Sequence, residues 1–111
     1  MNFIDVVNEF ESFEPCTGAF VSLKQNMQKM TEEDPDNAAV FFFLYGISLS
    51  HHRFYEDQET SPEFSLKAKT QMLHYLKKLL TAFHTGSKGD AYRILSEISS
   101  DYLTGNNVLG V

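Results

Sequence analysis

His51, His52 and Glu56 come closest, in type and spacing, to residues that could do chemistry. His52 and Glu56 stand four apart, so on a helix both project from one face and could reach one metal ion. Two ligands do not make a site, and the other histidines, His74 and His84, fall in a different segment. Near the C-terminus of a helix the two histidines have a simpler role, facing the negative end of its dipole. No metal or cofactor is therefore expected. General acid–base catalysis needs a carboxyl or imidazole buried beside a pocket, whereas the acids here fall in polar turns or opposite apolar stripes. There is no glycine-rich phosphate loop and nothing like a strand-to-helix nucleophile elbow. An enzyme is not expected.

The elements that would position these residues are helices. The segment from about 37 to 55 contains Ala38-Ala39-Val40-Phe41-Phe42-Phe43-Leu44-Tyr45, which at helical pitch has no polar side until Gly46, Ser48 and Ser50. A helix apolar all round must be enclosed by other elements or by lipid. Spanning a bilayer takes ~20 apolar residues, and this run meets Ser48, Ser50 and His51 too soon. It is expected to be the buried central helix of a small bundle, with Gly46 permitting close approach of a neighbour.

Around it, Phe3, Val6, Val7, Phe10 and Phe13 form one stripe of a first helix with Asn2 as N-cap, ended by Glu14-Pro15. Phe20, Leu23, Met27 and Met30 form the stripe of a second, from about Thr17. Cys16 falls on the same line one turn earlier and is expected to be a small buried apolar residue. Asp34-Pro35 and Ser61-Pro62 each read as an N-cap followed by proline at the first helical position. The helix from Pro62 to His84 carries two apolar seams, Phe64, Ala68, Met72, Tyr75, Leu76, Leu79 and Phe83 beside Leu66, Leu73 and Leu80, and ends at Gly86. A last helix from Ser87 or Asp90 turns Ala91, Ile94, Leu95, Ile98 and Tyr102 inward and stops at Gly105. Val108, Leu109 and Val111 are candidates to pack back. No stretch alternates with a period of two. The expected fold is all-α: one domain, 1–111, of about five helices around the central one.

Charge narrows the function. The net charge is −6, unevenly spread: residues 1–36 carry −6, 37–63 carry −3, 64–89 carry +5 and the remainder −2. Direct nucleic-acid binding would need clustered Lys and Arg. A helix-turn-helix built from the last two helices would offer Arg93 against Asp90, Glu97 and Asp101, a balance that repels phosphate. A basic protein partner suits the acidic half better. One cysteine makes no internal disulfide, and Met1-Asn2-Phe3-Ile4-Asp5 lacks the basic-then-apolar order of a signal peptide. A cytoplasmic address is expected, without membrane association.

A small, acidic, all-helical chain with the acidic turns Glu32-Glu33-Asp34-Pro35-Asp36 and Glu56-Asp57-Gln58-Glu59 resembles, as a class, the bacterial immunity proteins that protect a cell from its own contact-dependent-inhibition or colicin-type toxin. The resemblance implies one-to-one binding of a basic toxin domain, often a nuclease, whose active site or substrate groove is covered by acids that mimic phosphate. Independently of it, Tyr55 beside Glu56, Asp57 and Glu59 combines an aromatic anchor with acids suited to a basic target. With antiparallel neighbours, Glu11 and Glu14 join them at one end of the bundle. The alternative is an adaptor or secretion-chaperone-like protein holding an apolar segment of its partner in a groove. A third class is a metal- or ligand-binding enzyme using His51, His52 and Glu56.

Overall fold

The computed structural model describes residues 1–105, 108 and 109; the expectation for Val111 lies outside them. Among the described residues five α-helices follow one another: α1 Phe3–Ser12, α2 Thr17–Glu33, α3 Ala38–Tyr55, α4 Pro62–Thr85 and α5 Lys88–Thr104. A single 3₁₀ turn, Pro35–Asn37, precedes α3, and no strand occurs among the described residues. The fold is the all-α bundle expected.

The helix ends form where local chemistry places them. Asn2 and Asp5 build a reciprocal capping box at α1. The Ser61 and Ser87 hydroxyls accept from the backbone N–H of Phe64 and Asp90, and proline occupies the first position of α4. Gly86 ends α4 with φ +70°, a left-handed conformation that glycine adopts without strain. Asp34-Pro35 behaves differently. It starts the 3₁₀ turn, and the Asp34 carboxylate accepts from the Asn37 side chain, so α3 begins at Ala38.

Consecutive helices α2, α3, α4 and α5 run up and down, and α1 lies antiparallel to α4. Phe3 packs edge-on against Phe83 at 4.9 Å, and the other end of α1 meets Lys69. Phe20 of α2 stacks on His51 of α3, while Phe41 and Tyr55, at opposite ends of α3, meet Phe83 and Phe64 of α4. Tyr75 and Thr85 of α4 reach Asp101 and Asp90 of α5. All five helices contribute to one apolar core, in which Val6, Leu23, Met27, Leu44, Met72, Leu76 and Leu79 are sealed from solvent. Leu109, beyond α5, is as fully buried, so this residue does pack back.

Two local expectations are corrected. Cys16 is exposed: it is the extended N-cap of α2, so the helical line that predicted its burial does not reach back to it. Nor is α3 enclosed all round. Val40, Phe41, Leu44, Ile47, Ser48 and His51 are buried, but Phe42 is 75% exposed. Among the described residues only α2 packs closely along α3, and the other helices do not close around it, so one face of α3 stays open. Gly46 lies along that face, and a Cβ there would meet nothing within 4 Å. Close approach of a neighbouring helix within the chain therefore does not explain the glycine. Among the described residues, no helix is long and apolar enough to cross a membrane.

Candidate partner-binding end

The antiparallel arrangement gathers the C-termini of α1 and α3 with the N-termini of α2 and α4. A chain of rings crosses this end beneath the surface. Phe10 meets Phe20 at 5.4 Å, Phe20 meets His51 at 4.0 Å, His51 meets Tyr55 at 4.8 Å, and Tyr55 meets Phe64 at 4.9 Å. Pairs at such separations add favourable quadrupolar contacts to their burial, and these tie α1, α2, α3 and α4 together.

His51 is the polar member of the chain. It is 3% exposed, and its Nδ1 lies 2.7 Å from the carbonyl oxygen of Leu109. A carbonyl only accepts, so Nδ1 carries the proton and donates. Burial lowers the His51 pKa; the Leu109 hydrogen bond acts in the opposite sense, and His52 nearby adds to the lowering. His51 is thus a neutral core residue holding down the chain beyond α5, rather than a helix-end residue facing solvent. His52 is half-buried and Glu56 exposed. Among the described residues, no three His, Cys, Asp or Glu are grouped to hold a metal ion.

A second polar chain fastens the same segment. The Val108 N–H donates to the Gln71 side-chain oxygen at 3.0 Å, and the Gln71 amide nitrogen donates to Tyr75 Oη at 2.8 Å. Tyr75 in turn donates to the Asp101 carboxylate at 2.5 Å. Burial pushes the Tyr75 phenol up to about 12, helped by that bond to Asp101. Residues 108 and 109 are therefore held by side chains from α3 and α4. Neither chain of contacts carries a sequence signature, because each joins residues far apart in the sequence.

Above the rings lies the acidic turn. Glu56, Asp57 and Glu59 are all exposed, and among the described residues none of the three has an ion-pair partner. The turn is closed by the Gln58 N–H on the Tyr55 carbonyl, the Gln58 side chain on the Phe54 carbonyl, and a Thr60–Ser65 hydroxyl pair. These bonds leave the three carboxylates free to face solvent.

Tyr55 is placed differently from a free anchor: it is half-buried, wedged among His51, Phe54 and Phe64. The exposed ring beside the acids is Phe54, 47% open. Sequence reasoning passed over Phe54 because the neighbouring tyrosine offers both an apolar body and a hydroxyl.

Glu11 and Glu14 part company. Glu14 is exposed at this end, without an ion-pair partner among the described residues. Glu11 pairs with Lys77 at 2.7 Å. Lys77 stands fifteen residues beyond Pro62 in α4, about 20 Å along the axis at 1.5 Å per residue. The Glu11 carboxylate is thereby drawn onto the flank of the bundle, away from the 56–59 turn.

The lysines of the +5 segment are largely engaged within the fold. Lys77 pairs with Glu11, Lys78 with Glu97 and Lys67 with Glu63, while Lys69 donates to the carbonyls of Glu11 and Phe13. This distribution leaves Glu14, Glu56, Asp57 and Glu59 uncompensated at one end. Compared with protein-family models, curated proteins and solved structures, the chain matches none.

Proposed function

We propose that the protein is a cytoplasmic inhibitor of the immunity class, whose acidic end binds and neutralises a cognate basic toxin domain. One observation carries this reading: Glu56, Asp57 and Glu59 are exposed and, among the described residues, without ion-pair partners on a hydrogen-bonded turn, while lysines of α4 are paired elsewhere. A fixed cluster of unpaired carboxylates speeds encounter with a basic surface and sets its orientation. A nuclease domain fits, because its substrate groove is built to accept phosphates and would accept carboxylates in their place. The contacts are Glu56, Asp57 and Glu59, with Glu14 beside them and Phe54 and the edge of Tyr55 as the apolar component. Glu11, held by Lys77, contributes indirectly.

The test is affinity capture from the source cell at low and moderate salt, comparing the natural chain with the combined Glu56→Lys, Asp57→Lys and Glu59→Lys variant. The expected result is one basic protein in equal amount, lost at moderate salt or on charge reversal. Association measured with that partner should slow severalfold in the variant and lose most of its salt dependence. A partner held equally well by the reversed turn would refute the reading.

An adaptor holding an apolar segment of its partner is the second reading, favoured by one feature: the open face of α3 around Phe42.

A further inference from the structure

The open face of α3 carries a mid-helix glycine without an intramolecular reason. Glycine in a helix interior is less stable than alanine, yet a Cβ at Gly46 would meet nothing within 4 Å. One turn earlier stands Phe42, 75% exposed. Between and beside them runs a groove of about 490 Å³, lined by Ala39, Phe42, Phe43, Gly46, Leu95 and Tyr102 among others. On α5, Tyr92 and Leu103 continue the stripe of Leu95 and Tyr102 at helical spacing, 74% and 78% exposed.

We propose that this α3–α5 face is where two copies of the chain meet. Three properties select a second copy as the occupant. The first is self-complementarity: Phe42 is a projection and Gly46, four residues on, a recess on the same face. Two α3 helices crossing antiparallel about a twofold axis level with residue 44 set each Phe42 against the other's Gly46, the isologous pairing that a twofold axis requires.

The second is charge. Two chains of net charge −6 repel almost everywhere, but residues 38–51 contain no Asp, Glu, Lys or Arg. Along the α5 edge, Arg93 is paired with both Asp90 and Glu97. This face is therefore one on which like-charged copies can approach. The third is area. Phe42, Tyr92 and Leu103 together expose roughly 450 Å², taking about 200 Å² for each large side chain. With the partly open Phe43, Leu95 and Tyr102, the apolar side chains of the face come to no more than about 650 Å², most of the ~800 Å² per partner of a standard stable interface.

The experiment is sedimentation velocity over a wide concentration range, at low and high salt, on the natural chain and on Phe42→Glu, Gly46→Ala and Gly46→Leu. The natural chain should sediment at twice 12.7 kDa, at high salt at least as readily as at low, because salt screens the repulsion between like-charged copies. Phe42→Glu should lower the association constant about thirtyfold or more, the loss typical of an interface hot spot. It should leave the helical circular-dichroism spectrum unchanged, since Phe42 is exposed in the single chain. Gly46→Ala is the sharper probe: it should raise the melting temperature of the dilute monomer and weaken self-association together, with Gly46→Leu weakening it further. A natural chain that stays at 12.7 kDa throughout would overturn the proposal. So would a dimer indifferent to substitution at Phe42 and Gly46. A monomer that loses capture of another protein on Phe42→Glu would overturn it in favour of the adaptor reading.

Discussion

The His51 imidazole donates to the Leu109 carbonyl across 2.7 Å, although fifty-eight residues separate them in the chain. The contact closes the bundle, because Leu109 lies wholly buried beyond the last helix. The bond alone would favour a charged imidazole, but burial in a cage of Phe20, Tyr55 and Phe64 outweighs it and favours the neutral form.

Stability should therefore fall on mild acidification. The folded state lowers the His51 pKa below its ordinary value of 6.5, so between the two values the unfolded chain binds the extra proton. The contribution is fully present above about pH 6.5, declines as pH drops through that value, and levels off below the folded pKa. Urea unfolding at several pH values between 5 and 8 would read this slope. In His51→Gln, which keeps an amide donor but cannot titrate, this part of the slope should vanish. An unchanged slope would place the titration elsewhere.

Tyr75 predicts the opposite limb. Its phenol is raised to about 12 from an ordinary value of 10.0, so between these values the folded state retains a proton that the unfolded chain loses. Stability should decline as pH rises through that window, and Tyr75→Phe should remove the decline. At neutral pH the same substitution should cost about 1–2 kcal/mol, because the Gln71 amide loses its acceptor and Asp101 its donor. Thermal unfolding of the two proteins at pH 7 and above pH 10 checks both halves.

The difference between what could be read in the sequence and what could not follows from the range of each signal. Asn2, Ser61, Gly86 and Ser87 cap helices through bonds spanning a few residues, so residue type and spacing were sufficient. The apolar stripes of α1 and α2 were legible for the same reason. Enclosure of α3 was not, because Phe42 and Phe41 are identical in composition and periodicity places both on an apolar helix. Which of them is covered depends on how many neighbours the bundle can supply. At the candidate site the 56–59 acids were visible as a local run, and the structure leaves them exposed. Glu11 was separated from them by Lys77, sixty-six residues away, and the Leu109 latch on His51 spans nearly as far. No local pattern encodes either pair.

Lys69 offers a last contrast, between two lysines on one helix. Its ammonium lies 2.6 Å from the Glu11 carbonyl and 2.7 Å from that of Phe13, so it satisfies acceptors at the end of α1 that the helix leaves unpaired. It is half-buried there and meets the negative end of the α1 dipole. Lys69→Met keeps much of the apolar stem but removes the charge and its donors. It should cost about 1–2 kcal/mol, within the range of charged hydrogen bonds and favourable dipole contacts. Lys67 instead pairs with Glu63 at 3.6 Å, with both side chains mostly in solvent. Lys67→Met should change stability by less than about 0.5 kcal/mol, as exposed i,i+4 pairs do. Parallel denaturant titrations would separate the two. Equal effects would mean that the α1 carbonyls are satisfied by water as readily as by Lys69, and that α1 is held to α4 by its apolar stripe alone.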